Sequence, residues 1–179
     1  MVARGEVSLG YPVVEYLPKG VTMPARAGRE ITLADLSTHP SGLPNLPDNL
    51  VPRDMSNPYA DYTFALMYDF LSEHELRRDI GSEFEYSNLG VGLLGHVLAR
   101  HAETDYESLV RERIFEPLGM SMSTITLSGD TKALMVRGHD AQDAATAGLG
   151  LFSPGRLSAA ESAGAELERL TQVSPEARI

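Results

Sequence analysis

Apolar residues recur at helical spacing in three stretches of this chain. Phe64, Met67, Phe70 and Leu71 follow Thr63, a candidate N-cap, and predict a helix over residues 63–74. Leu89, Leu93, Leu94, Val97 and Leu98 follow Asn88 and predict a second helix over 89–101. Gly90, Gly92 and Gly95 cost that helix propensity, which points to close backbone approach to a neighbour. The third stretch carries Tyr106, Leu109, Val110 and Ile114. It opens on Thr104 and Glu107 as a capping box and stops at Glu116-Pro117-Leu118-Gly119.

Elsewhere the periodicity breaks down. Residues 11–58 hold eight of the eleven prolines, so that third is predicted to be turns and extended segments. One short helix interrupts it, with Thr32 and Asp35 as capping box, Leu33 and Leu36 on its apolar side, and Pro40 ending it. The opening, Met1 to Gly10, has the pattern of a helix tail entering a Gly-bearing turn. Residues 121–153 mix small apolar and hydroxyl residues with weak alternation from Ser123 to Leu127, predicting short strands and loops. Ser158 with Glu161 is placed to cap a last helix reaching Leu170.

Composition narrows the function classes. Of 179 residues, 42% are apolar and 22% charged, which suits a globular chain with a real core. Fifteen basic against twenty-five acidic residues give a net charge of −10, a field that repels phosphate backbones and anionic lipid, so no nucleic-acid partner is expected. Cysteine is missing, which excludes thiolate catalysis, disulfides and Cys-ligated zinc. No run approaches the roughly twenty apolar residues needed to span a bilayer, and Met1 to Gly10 lacks a signal-type apolar run, so the chain as written is expected to be soluble and unexported.

The sharpest chemical feature is Phe84-Glu85-Tyr86-Ser87-Asn88-Leu89-Gly90, ahead of the Gly-rich helix. In an extended segment residues two apart point to the same side, so the Tyr86 hydroxyl and the Asn88 amide can face one cavity beside a helix N-terminus. A phenol is a poor base at neutral pH without a cation beside it. Asn88 offers an acceptor and two donors, suited to gripping an amide. Taken alone, these residues read first as a packing Tyr86 and a helix-capping Asn88. Other candidates are weaker. No Gly-x-Ser-x-Gly occurs, His39 near Ser41 reads as a residue holding a loop, and His74-Glu75 lacks the second His of a zinc motif. His96 and His101, five apart, miss one helical face. No metal site and no cofactor are implied.

Three blocks in order carry a resemblance: Ile31 to Pro44 with Thr38-His39-Pro40-Ser41-Gly42, then Phe84-Glu85-Tyr86-Ser87-Asn88-Leu89-Gly90, then Ile114-Phe115-Glu116-Pro117-Leu118-Gly119-Met120. Together they resemble the class C β-lactamase and penicillin-binding protein family of serine hydrolases, over about residues 5–140. Leu9 to Pro18 is also similar to a family segment, with Tyr11 where Asp is usual. The resemblance implies a mainly α fold with long loops and a few short strands, the helical subdomain of an α/β serine β-lactamase-like fold. It implies a core over residues 1–150 and a helical tail over 151–179.

By the same resemblance Tyr86 is the proton-shuttling catalytic residue and Asn88 the substrate-binding one, acting on a small-molecule amide or ester such as a β-lactam or a D-alanyl peptide. Such enzymes are often periplasmic or secreted. The family's Ser-x-x-Lys nucleophile motif has no counterpart here, because Tyr16 and Gly129 stand three residues before Lys19 and Lys132, the two lysines of the chain. Neither Lys132-Ala133-Leu134 nor any His-x-Gly matches the late Lys-Thr-Gly strand. The expectation is therefore a central portion of the fold, inactive alone, with uncovered apolar faces that favour a homo-oligomer. Two alternatives differ in class: a non-catalytic binding or self-assembling module, and an independent hydrolase using Ser41 or Ser87.

Overall fold

A computed structural model describes residues 1–55 and 57–136, together with the backbone of two short strands at Gly138–His139 and Ala145–Thr146. The chain divides into two compact units, Met1–Asn49 with Ala65–Leu109, and Leu50–Phe64 with Val110–Ile179.

The first unit opens with a 3-10 turn over Val2–Arg4, closed by Gly5 at φ 69°, as the Gly-bearing pattern predicts. A second 3-10 turn covers Val13–Tyr16. The hairpin of β1 (Ala25–Arg26) and β2 (Arg29–Glu30) pairs Ala25 with Glu30 and Arg26 with Arg29. Its tight turn puts Ala27 at φ 52° and Gly28 at φ 74°, the left-handed pair that a two-residue hairpin requires. Helix α1 (Leu33–Ser37) carries the expected capping box, with Asp35 N–H donating to Thr32 Oγ1 and Thr32 N–H to the Asp35 carboxylate. Arg29 joins the hairpin to this helix through Asp35 at 2.7 Å and to the Ile80 carbonyl, while Arg26 bonds Asp79 and the Leu76 carbonyl.

Helices α2 (Phe64–Glu73) and α3 (Asn88–His101) lie within a residue of their predicted bounds, because an apolar stripe at 3.6 spacing is a local signal. Val13, Ile31, Leu33, Leu36, Leu43, Leu71, Leu93 and Val97 are almost wholly buried and form the centre of the unit. α1 packs on α3, and Arg100 on α3 donates to the Tyr16 carbonyl. The glycines of α3 split as to purpose. A Cβ on Gly95 would stand 3.1 Å from the Tyr106 ring and one on Gly90 3.2 Å from Ser87 Oγ, whereas Gly92 faces open space.

Helix α4 (Tyr106–Val110) is short and runs into a π-turn over Arg111–Phe115. Its cap is Asp105 rather than Thr104: the carboxylate accepts from Ser108 N–H at 2.8 Å and from Ser108 Oγ at 2.6 Å, and a charged acceptor one residue on outcompetes the threonine hydroxyl.

In the second unit, no described residue is buried. The alternation from Ser123 to Leu127 does not form a strand; Thr124 Oγ1 donates to the Thr126 carbonyl, a local side-chain bond that competes with a ladder. Instead Ser128 caps α5 (Gly129–Ala133). Strands β3 (Gly138–His139) and β4 (Ala145–Thr146) pair antiparallel, Gly138 with Thr146 and His139 with Ala145. The helix expected from Ser158 and the tail over 151–179 lie outside the described residues.

Candidate active site

Residues 85–89 cross the turn formed by residues 39–45, and the crossing is held almost atom by atom. The His39 carbonyl accepts from Glu85 N–H at 3.0 Å. His39 Nδ1 accepts from Ser87 N–H at 3.1 Å, the loop-holding role expected for this imidazole. Asn45 contributes its side-chain oxygen to Asn88 N–H and to Asn88 Nδ2, at 3.2 and 2.9 Å, and its carbonyl to Leu89 N–H at 3.0 Å. Ser87 Oγ donates to the Pro44 carbonyl and accepts from Gly90 N–H at 2.8 Å.

The helix therefore starts at Asn88, with Ser87 as its N-cap. Asn88 is not the cap, which frees its amide for other work. Each backbone N–H from Ser87 to Gly90 has an acceptor of its own. These are the donors that a helix start normally leaves open, so little of this N-terminus remains to receive an anion.

Two side chains in this saturated segment stay uncommitted. Tyr86 is 56% exposed, and its hydroxyl makes no hydrogen bond among the described residues. Its ring lies 4.8 Å from the His39 ring at 37°, and the Phe84 ring meets that imidazole edge-on at 5.4 Å. His39 holds this position at φ 68°, a left-handed conformation uncommon outside glycine. Asn88 is half-buried and gives one N–H to Asn45, leaving a second N–H and its carbonyl oxygen open. One acceptor and one donor side by side match the N–H and C=O of an amide.

The two serines considered as independent nucleophiles are both 1% exposed. Ser41 Oγ accepts from Leu43 N–H, and Ser87 is the helix cap. Sequence reasoning missed Asn45. The only signal for it is its place directly after the Gly42-Leu43-Pro44 turn, because its partner stands 43 residues away.

Away from this crossing, Tyr68 Oη and His96 Nε2 form a buried hydrogen bond between α2 and α3. Burial first, then the Arg100 charge, pushes His96 down to about 3, and burial raises Tyr68 against the pull of Arg100. His96 is thus a neutral core imidazole.

Comparison with known proteins decides the family. The sequence profile described as Beta-lactamase matches residues 1–165. The chain belongs to the β-lactamase family. A relative within the family's reach is the D-alanyl-D-alanine-carboxypeptidase/endopeptidase AmpH of Escherichia coli (strain K12), 36% identical over 138 residues, which are 76% of this chain and 35% of that protein. Among solved structures, the beta-lactamase/D-alanine carboxypeptidase from Yersinia pestis, complexed with citrate, superposes with a TM-score of 0.70 at 29% identity, covering 86% of this chain and 42% of that one. A class C beta-lactamase from Rhodobacter sphaeroides gives 0.59 at 32% identity, covering 80% and 37%. This chain thus spans about a third of the length of the AmpH relative. The β-lactamase fold confirms the mainly helical architecture with long loops and short strands.

Proposed function

We propose that this chain supplies the Tyr86 and Asn88 portion of a β-lactamase-family acyl-transfer site for a small-molecule amide or ester, and that it forms no acyl-enzyme by itself. The observation that carries the proposal is the contrast within residues 85–90. Every backbone donor from Ser87 to Gly90 is committed, while the Tyr86 hydroxyl and half of the Asn88 amide are not. A segment held this firmly with two free polar ends is preorganised to receive a ligand rather than to stabilise itself. In the family's reaction a serine attacks the carbonyl, the acyl group passes to its oxygen, and water later releases the acid. Asn88 would hold the amide of the substrate, and Tyr86 would pass the proton between the nucleophile and the leaving group. No Ser stands three residues before Lys19 or Lys132, and of the serines considered as nucleophiles Ser41 and Ser87 are both buried.

Incubation with a labelled penicillin and with a fluorophosphonate, read by intact mass, tests this directly. No adduct is expected. A stoichiometric adduct would overturn the proposal, and peptide mapping would name the serine. A penicillin is nevertheless expected to bind weakly, shifting the Asn88 side-chain amide in a nitrogen-15 NMR spectrum, with the shift reduced in Tyr86→Phe.

A second reading is favoured by the exposed aromatics, Phe84 at 72% and Tyr86 at 56%, which form an uncovered apolar edge. On that reading the chain is a non-catalytic module that self-associates through this edge. Light scattering separates the two: a dimer dispersed by Phe84→Ser supports self-association, and a monomer in both forms removes it.

A further inference from the structure

The turn that ends in Pro44 and Asn45 is tied by its backbone to the segment that carries the site. The Pro44 carbonyl accepts from Ser87 Oγ at 2.7 Å and the Asn45 carbonyl from Leu89 N–H at 3.0 Å. With the main chain held on either side of it, the Asn45 side chain keeps only its own two torsions. Its Oδ1 accepts twice from one residue, from Asn88 N–H at 3.2 Å and from Asn88 Nδ2 at 2.9 Å.

These two bonds together set a direction. A side-chain amide can present its oxygen or its nitrogen from nearly the same place, whereas a backbone N–H can only donate. Asn88 N–H therefore requires the oxygen of Asn45 to face it. That oxygen in turn requires the nitrogen, not the oxygen, of the Asn88 amide beside it. With its nitrogen held inward, Asn88 turns its carbonyl oxygen and one N–H outward. The reverse orientation would set two amide oxygens against each other and leave Asn88 showing two N–H groups and no acceptor.

We propose that Asn45 is a positioning residue, which sets through the Asn88 backbone N–H and Nδ2 which way round the Asn88 amide meets a ligand. The ligand is that of the acyl-transfer reading, on which this role rests; the orientation itself is independent of it. Asn45 is exposed, and its own side-chain nitrogen makes no hydrogen bond among the described residues, so only its oxygen is engaged. A residue that serves through its acceptor alone can be exchanged for a carboxylate, and an anion beside the first turn of α3 is favoured by the helix dipole.

The test compares the full chain, labelled with nitrogen-15, with Asn45→Ala and Asn45→Asp. In the free chain one Asn88 Nδ2 proton is expected downfield of the other and slower to exchange with water. That inequality should collapse in Asn45→Ala and persist in Asn45→Asp. Penicillin binding, read from backbone shifts, is expected to weaken about tenfold in Asn45→Ala, the ratio that one hydrogen bond supplies. In an Asn88→Ala chain the same change is expected to cost nothing further, because Asn45 acts only through Asn88. The positioning role is overturned if the Asn88 amide is unmoved by Asn45→Ala, if its inequality is lost equally in Asn45→Asp, or if the tenfold loss persists without the Asn88 side chain. Failure of penicillin to saturate the unaltered chain would instead overturn the acyl-transfer reading, and with it the ligand that Asn45 serves, even where the free-chain inequality is present.

Discussion

The crossing of residues 39–45 with 85–90 and the stretch from 110 to 136 are built by opposite means. In the crossing, Ser41, Leu43, Ser87, Leu89 and Gly90 are buried and consecutive backbone donors are matched one to one with acceptors. In the later stretch no described residue is buried, and Val136 is 90% exposed. Its order rests on local devices such as the Ser128 cap and the π-turn at Arg111–Phe115. Capping and turn hydrogen bonds shape a segment but contribute little net stability without apolar burial behind them. The first region can therefore hold side chains in fixed positions for a ligand, and the second cannot do so by its own packing.

That contrast can be broken by truncating each region and comparing the losses. The largest effect is expected from Leu93→Ala at the centre of the first unit, where the side chain is fully buried. It should lower unfolding stability by about 2–5 kcal/mol in urea titrations. A loss no greater than that of an exposed leucine would show that the core is not where the structure puts it.

Acidification comes next. His96 takes up a proton in the folded chain only near pH 3, whereas an unfolded imidazole does so near 6.5. Between those values the unfolded state binds more protons, so stability is highest above about 6.5 and falls as the pH drops toward 3. The expected loss by pH 4 is about 3 kcal/mol. His96→Gln, which keeps an acceptor for Tyr68, should flatten this limb, and an unchanged slope would mean that the acid sensitivity lies elsewhere.

Ser87→Ala sharpens the comparison at the site. It removes the helix cap and strands both Gly90 N–H and the Pro44 carbonyl, for an expected loss of about 1–2 kcal/mol. It should also blur the Asn88 side-chain amide signal. Val136→Ala is expected to change stability by less than about 0.5 kcal/mol. A larger loss there would mean that the later stretch has a packed face of its own.

What the sequence disclosed follows the range of each interaction. The α2 and α3 stripes and the Thr32 and Asp35 box are patterns closed within four residues, and all three are found where the spacing places them. Thr104 against Asp105 is also local, but two capping residues in succession compete, and only the chain's geometry there selects the carboxylate. Tyr86 and Asn88 stood out by residue type and spacing as candidates, and the roles expected of them came from the family resemblance alone. What they rest on was not legible. His39 and Asn45 are polar residues in a proline-rich turn, and nothing near them in sequence announces partners 43 to 48 residues away. The exhaustion of the α3 N-terminal donors was hidden for the same reason.

That separation has a kinetic side. Gripping Ser87 with His39 and Asn88 with Asn45 closes a loop of more than forty residues, so the chain must lose the entropy of closure before any of these bonds forms. α1 and α3 can begin to form from nearby residues alone, but the seating of Tyr86 and Asn88 cannot. The site thus rests on long-range contacts, which tie its upkeep to the whole first unit. Opening that loop releases the Ser87, Asn88 and Leu89 amides together. Their hydrogen exchange is expected to report one common opening free energy, set by the opening of the unit rather than by fraying of the helix end.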